Sequence, residues 1–194
     1  MKNPFIDLII KFDKLNVAPE LAQTFKNVLR RMAVYFEANG YLNKKNYDDI
    51  FKKFLIDGDF KFEVSDEPSK IGAGGFYSFF EKRIVIDSNT MGKGLLTEHT
   101  LCHEFIHFLV MHDIYEKRFT DGKKNKFINE AFTESLARNI YHEVKSNAYE
   151  PQVKMMDFSN ILMGKDNDYG IFLQNGDDGL SSSAALLNFK KWNK

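Results

Sequence analysis

One segment, LLTEHTLCHEFIHFLVMHDIY at residues 95–115, constrains the fold more than any other part of the chain. Its density of apolar residues predicts a buried helix. Within it, His103 and His107 lie four residues apart, so that on a helix both side chains project from the same face, one turn apart. Glu104 is rotated from His103 by about 100° on the same helix. The segment therefore places two imidazoles and one carboxylate on a single rigid element.

This spacing is typical of a metal site that performs chemistry. Neutral imidazoles one helical turn apart can occupy neighbouring corners of a tetrahedral Zn²⁺ site. Glu104 cannot easily ligate the same ion, but it can reach a water molecule that the ion activates. We therefore predict His103 and His107 as zinc ligands and Glu104 as a general base. The alternative is a core helix whose histidines pair with carboxylates.

A catalytic zinc ion needs a third protein ligand and keeps a fourth position for water. The best candidate is Glu130, in the segment NEAFTES, because it follows His107 by 23 residues. That distance leaves room for a loop and an antiparallel return helix. Glu134 lies one turn further on the same face and could accept a hydrogen bond from a ligating histidine, which would fix the tautomer of that ring. A solvated helix face with two glutamates is the alternative.

Asp113 is a second candidate for the third ligand, since it follows His107 by six residues. It could reach the ion only if the chain turned sharply just after His107. The intervening FLVM contains neither Gly nor Pro, so the helix is expected to continue. His99, one turn before His103, is expected to support the site or to lie at the surface.

HEFIH followed by NEAFTE resembles the gluzincins, zinc peptidases in which H-E-x-x-H is completed by the glutamate of an N-E-A-type helix. NEAFTE is similar to the thermolysin-like N-E-A-x-x-D segment, with Glu134 where those enzymes have an aspartate. GGFYSFFEKRIVID, at residues 74–87, is similar to the hairpin that lines their substrate cleft. The small size resembles a minigluzincin core, and the resemblance covers about residues 74–145. It implies a zincin-like fold, bound Zn²⁺, Glu130 as ligand and Glu134 as its support. No motif identifies the oxyanion-stabilising residue of the family, although Tyr149 and Tyr169 could fold back to serve.

The remaining patterns place helices before and after a small sheet. Apolar positions at helical spacing after Pro19 predict a helix that stops at Gly40. Alternation in FKFEV predicts a strand, and the 74–87 segment predicts two short strands around a tight polar turn. Further helices are expected at 46–58, over FINEAFTESLARNIYHEVK, and near 152–163 and 180–191. This order predicts an α+β fold, mostly helical, with a small antiparallel sheet packed on the motif helix. We expect a single domain over 1–194, with a helical part at 1–58 and the sheet and active-site helices at 59–194.

Composition excludes several classes of protein. Lys plus Arg and Asp plus Glu number 27 each, so the chain carries no net charge that would attract nucleic acid or an anionic membrane. The single cysteine, Cys102, allows no intrachain disulfide. The first residues lack a signal-peptide core, and no apolar run is long enough to span a membrane. We therefore expect a cytoplasmic protein, although a leader removed from the natural chain would not be visible here.

Together these patterns predict a zinc metallopeptidase that hydrolyses peptide bonds in a peptide or protein substrate, with neither nucleic acid nor membrane as a partner. The strand at 83–87 or its hairpin partner would pair with the substrate backbone. Two alternatives stay open. One is a catalytically silent zinc-binding scaffold or regulatory protein of the same fold. The other is a regulatory protease of the phage-repressor-cleaving type.

Overall fold

The computed structural model describes residues 3–41, 51–115, 122–146, 148–151 and 153–154, with side chains omitted at 110–115 and 122–129. Its helices are α1 Pro4–Ile10, α2 Ala22–Ala38, α3 Glu67–Lys70, α4 Leu95–Tyr115 and α5 Gly122–Ile140. Its strands are β1 Asn16–Val17, β2 Lys61–Ser65, β3 Gly75–Ser78 and β4 Arg83–Asp87. Two short 3₁₀ turns, Phe12–Lys14 and Pro19–Leu21, and a π-helical turn, Phe51–Ile56, complete the described elements. The fold is mixed α and β, as predicted.

Helix α2 confirms the prediction made from apolar spacing. The residues predicted to line its inner face are fully buried, namely Leu21 just before it and Phe25, Leu29, Met32 and Phe36 within it. The helix ends at Ala38, and Gly40 follows with a φ of 67°, a left-handed conformation that glycine adopts without a steric penalty. The spacing of apolar residues was enough to predict this helix because the helix is amphipathic.

The sheet is mixed, so the prediction of an antiparallel sheet is wrong. Its strand order is β1-β2-β4-β3, with β1 and β4 parallel to β2 and only β3 antiparallel to β4. The chain runs through β2, returns along β3 and then inserts β4 between them. The reason lies in β4, where Ile84, Val85 and Ile86 are all completely buried. A strand that is apolar on both faces is most stable inside a sheet.

Helix α4 lies at the centre of the packing, as expected for a buried helix. All side chains from 101 to 109 are buried. The Phe105 ring meets Phe25 of α2 edge to face at 5.2 Å and Phe62 of β2 at 6.1 Å. Cys102 and Ile106 are completely buried, as predicted. This apolar packing fixes α4 on the sheet and on α2, so its polar face is held towards α5 and β3.

Several predicted elements fall at the margins of the described chain. The helix predicted over 46–58 is described only from Phe51, where the π-helical turn begins. The helices predicted near 152–163 and 180–191 lie outside the described residues, apart from 153 and 154. Among the described helices, none combines the length and apolar character needed to cross a membrane.

Candidate metal centre

Three side chains from α4 and α5 bring potential metal-ligating atoms together. His107 Nε2 lies 3.0 Å from His103 Nε2 and 3.2 Å from Glu130 Oε2. His103 Nε2 lies 3.4 Å from the same carboxylate oxygen. Because His103 lies opposite Glu134 and His107 opposite Glu130, the two helices run antiparallel, as the spacing predicted. Among the described residues, these three form the cluster that could hold a metal ion.

The donor set and its dimensions fit a zinc ion. Two imidazole nitrogens and one carboxylate oxygen are ligands that catalytic zinc sites use. Ligands at the usual zinc distances from a tetrahedral ion lie about 3.3–3.4 Å from one another. The three observed separations, 3.0, 3.2 and 3.4 Å, are close to that edge length. Both histidines are buried and Glu130 is half-buried. The cluster is therefore already arranged as one face of a tetrahedron.

Hydrogen bonds on the far side of each imidazole orient the two rings. The carboxylate of Glu134 accepts a hydrogen bond from His103 Nδ1 at 3.0 Å. Since a carboxylate only accepts, His103 keeps a proton on Nδ1, so Nε2 is the nitrogen that can ligate a metal once its own proton is released. Thr133 Oγ1 lies 3.4 Å from His107 Nδ1 and can orient the second ring in the same way. The sequence indicated Glu134 but not Thr133, which is a small buried residue with no distinguishing pattern.

The charges in this cluster favour a protonated site when no metal is bound. Burial of the His103 ring disfavours its charged form, but hydrogen bonds with Glu130 and Glu134 outweigh burial and raise the pKa of His103 to about 10. Against the effect of its own burial, the hydrogen bond with His103 lowers the pKa of Glu134 to about 2. Zinc binding would therefore release a proton from His103, so zinc affinity should increase with pH.

Glu104 lies beside the cluster but is not part of it. Its side chain is buried, and the backbone of Tyr77 in β3 hydrogen-bonds its carboxylate. Burial raises the pKa of Glu104, and the neighbouring His103 and His107 offset this only in part. A carboxylate held in this way binds a proton more readily than an exposed glutamate does. That property suits a general base.

Strand β3 is the outer strand of the sheet next to Glu104. Both sides of β4 are paired, with β2 and β3, so residues 83–87 cannot accept another strand. β3, the hairpin partner of β4, lies at the edge of the sheet and is the other strand predicted to pair with substrate. The Asp87 amide donates to the Gly74 carbonyl at 2.9 Å, which sets the register of the β3–β4 ladder. In that register Gly75 and Tyr77 turn their backbone amides and carbonyls away from β4, to the outer edge of the sheet, where the Tyr77 amide meets Glu104.

Gly75 lies where β3 packs closely against both β4 and α4. A Cβ atom at this position would come within 3.0 Å of both the Val85 carbonyl oxygen and Ile86 Cδ1, and within 3.2 Å of Thr100 Cγ2. Only glycine avoids these contacts without a shift of the strand. Gly75 therefore allows β3 to pack tightly against β4 and against Thr100 of α4.

The amide of Tyr77 provides a test of the support given to Glu104, because it donates a hydrogen bond to that carboxylate. We expect Tyr77→Pro, which removes the amide, to slow the predicted peptide hydrolysis by about tenfold or more, because Glu104 loses a hydrogen bond to its charged form. Zinc content should not change, since no ligand is altered. Tyr77→Ala is the matched control, because it removes the same side chain and keeps the amide. Hydrolysis rates measured for both variants decide the question, and equal rates would show that this amide does not support the base.

Arg138 connects the cluster to the segment that follows α5. Its Nε donates to Glu134 Oε1 at 2.9 Å, one terminal nitrogen donates to Glu150 Oε2 at 2.8 Å, and the other donates to the Ala148 carbonyl at 2.6 Å. One guanidinium therefore holds both Glu134 and residues 148–150. The four-residue spacing from Glu134 is a sequence signal for the first contact. The other two contacts depend on how the chain folds back after α5.

Arg138 thereby helps to place Tyr149 over the centre. The φ of Tyr149 is 54°, which is uncommon for a residue other than glycine. Its ring stacks on His103 with centroids 5.9 Å apart and planes 9° from parallel, and its hydroxyl group hydrogen-bonds Glu130. Burial and the charge of Glu130 raise the pKa of Tyr149, so the hydroxyl stays protonated and can donate. The sequence did not distinguish Tyr149 from Tyr169, which lies outside the described residues.

The other residues considered as ligands or as supports of the site, His99 and Asp113, do not belong to the cluster of three. His99 is buried with Nε2 3.7 Å from Glu134 Oε1, so it belongs to the surroundings of Glu134, the first of the two roles expected for it. Asp113 lies within α4, which continues unbroken to Tyr115. The sharp turn that would bring Asp113 back to the cluster is therefore absent from this described helix.

Comparisons of the chain with models of protein families, with curated proteins and with solved structures found no match. The function is therefore inferred from the geometry and chemistry of the site.

Proposed function

We propose that the chain is a zinc-dependent peptidase of the gluzincin type, with a zincin-like fold, that hydrolyses peptide bonds. The observation that carries this proposal is the convergence of His103, His107 and Glu130 within ligand distance of one another, with the buried carboxylate of Glu104 beside them. Three protein ligands leave a coordination position for a reactant, as catalytic zinc sites do. A purely structural site would have no use for Glu104.

The residues around the cluster divide the chemistry of hydrolysis among them. Zinc held by the three ligands would supply a Lewis acid that polarises the scissile carbonyl and lowers the pKa of water. Glu104 takes a proton from the attacking water and passes it to the leaving amine. Its burial supports this role, because a raised pKa helps it to hold the proton between the two transfers. Glu134 keeps His103 in the tautomer that ligates through Nε2.

Substrate orientation falls to β3 and Tyr149. The outward backbone groups of Gly75 and the carbonyl of Tyr77 can pair with an extended peptide, which aligns the scissile bond near Glu104. The Tyr149 hydroxyl donates its hydrogen bond to Glu130 here; once Glu130 ligates zinc, the hydroxyl could turn and donate instead to the carbonyl oxygen as negative charge develops on it. This arrangement favours Tyr149 as the oxyanion-stabilising residue for which the sequence has no motif.

The test is metal-dependent hydrolysis of an unfolded protein, with the new peptide termini identified by mass spectrometry. Zinc-loaded protein is expected to generate them, a chelator to abolish the reaction, and added Zn²⁺ to restore it. Hydrolysis that survives removal of the metal would contradict the proposal. Bound zinc without hydrolysis of any substrate would favour the silent scaffold.

A further inference from the structure

One guanidinium group lies between the carboxylate that supports the metal centre and the segment that packs over it. Arg138 Nε donates to Glu134 Oε1 at 2.9 Å, and its two terminal nitrogens donate to Glu150 Oε2 at 2.8 Å and to the Ala148 carbonyl at 2.6 Å. A guanidinium is planar and presents its donors in a fixed geometry. The three acceptors are therefore held in one arrangement relative to one another.

These contacts close a ring that passes through His103, one of the proposed zinc ligands. The second carboxylate oxygen of Glu134 accepts from His103 Nδ1 at 3.0 Å. Tyr149, which lies between the two residues that Arg138 binds, stacks on the face of the same imidazole with centroids 5.9 Å apart. His103 is thus contacted at Nδ1 and on its ring face by two groups that one guanidinium holds. A displacement on either side of His103 can reach the other side through Arg138.

The backbone of Tyr149 shows that the position of this segment depends on its contacts. Its φ of 54° is left-handed, a conformation that a residue other than glycine keeps only where its surroundings hold it. Arg138 supplies hydrogen bonds on both sides of it. Ser146 adds another link, since its hydroxyl hydrogen-bonds Glu134 and also accepts from the Ala148 amide at 3.2 Å. Loss of the bonds to Arg138 should therefore let the segment relax and the Tyr149 ring move off His103.

We infer that Arg138 is a positioning residue that couples zinc binding to the packing of residues 148–150 over the centre. The inference rests on the zinc centre of the proposed function and adds a mode of regulation to it, because zinc affinity then depends on whether this segment is in place. The coupling is reciprocal, so bound zinc must stabilise the packed segment to the same extent. Any ligand or partner that displaces residues 148–150 would weaken zinc binding.

A double-mutant cycle tests the coupling, with zinc affinity measured by chelator competition on the full chain. Glu150→Gln should weaken zinc binding about threefold to tenfold, the size of effect that a residue acts with through an intermediate contact. Arg138→Lys keeps the charge but replaces the guanidinium by a single ammonium group, so it should weaken zinc binding and remove the effect of Glu150→Gln. Lys154→Ala is the matched control and should bind zinc like wild type, because it removes a different partner of Glu150, at 3.1 Å.

Amide hydrogen exchange provides the reciprocal measurement and needs no turnover. Zinc should slow the exchange of amides 148–150 in wild-type protein and in Lys154→Ala, and it should protect them much less in Arg138→Lys. An effect of Glu150→Gln that is equal in both backgrounds would reveal a loss of charge alone and would overturn the coupling. Exchange at 148–150 that zinc leaves unchanged in wild-type protein would overturn it as well.

A second comparison applies even if Arg138→Lys does not fold. Glu143→Gln removes an equal charge beyond the end of α5, but Glu143 pairs with Arg31. It should leave zinc affinity unchanged, and an effect as large as that of Glu150→Gln would overturn the coupling. Coupled zinc binding without hydrolysis of any substrate would support the role of Arg138 and count against the peptidase. Zinc-dependent hydrolysis with purely additive effects in the cycle would overturn the coupling and leave the peptidase standing.

Discussion

Glu104→Gln is expected to lower kcat/KM for peptide hydrolysis by about 10²–10⁴-fold or more and to leave zinc in place. Glutamine has nearly the same shape as glutamate but cannot accept the proton of the attacking water. The metal should remain because the atoms that could ligate it belong to His103, His107 and Glu130. Stability should change little, since a buried carboxylate with a raised pKa is replaced by a neutral amide.

The measurement compares hydrolysis rate, zinc content and thermal unfolding of the variant with those of wild type. Glu98→Gln is the matched control, because Glu98 lies on the same helix but pairs with Asn27 and Arg31 away from the cluster. It should retain wild-type activity. A Glu104→Gln protein that cleaves at the wild-type rate would show that Glu104 is not the base.

Glu130→Ala is expected to empty the metal site almost completely, whereas Glu134→Ala should weaken zinc binding about 10–100-fold. The difference follows from the atoms involved. Glu130 Oε2 lies within 3.4 Å of both Nε2 atoms, where a shared metal ion would be bound. Glu134 instead contacts the opposite nitrogen of His103, so its loss frees the ring to rotate but removes no ligand.

Zinc affinity is measured by competition with a chromophoric chelator across the series. Asp113→Ala serves as the control and should bind zinc like wild type, because α4 continues through this position. The converse pattern, in which Asp113→Ala empties the site and Glu130→Ala does not, would exclude a gluzincin-type centre.

The sequence was informative where local spacing determines the structure. Four-residue spacing on a helix was enough to bring His103 and His107 together, and the length of the intervening segment was enough to return Glu130 to them. The helical spacing of apolar residues predicted the buried face of α2 in the same way. These features depend on contacts between residues near in sequence, or on a single helix reversal.

What the sequence did not predict depends on contacts between distant segments. The segments FKFEV and 74–87 predicted strands and a hairpin, but the parallel pairing of β4 with β2 depends on residues about twenty apart in sequence. Tyr149 stacks on His103, and Arg138 holds the residues on either side of it, through the Ala148 carbonyl and Glu150 beyond the end of α5. Neither residue spacing nor a sequence motif predicts that the chain after α5 turns back towards the cluster.

The zinc content of wild-type protein, dialysed against Zn²⁺ and then against metal-free buffer, tests the central claim most directly. We predict about one zinc ion per chain, the stoichiometry of a site with three protein ligands and one open position. His103→Ala and His107→Ala, treated in parallel, should lose the ion. Wild-type protein that emerges from this treatment free of metal would contradict the assignment of His103, His107 and Glu130 as a zinc centre, and with it the proposed peptidase.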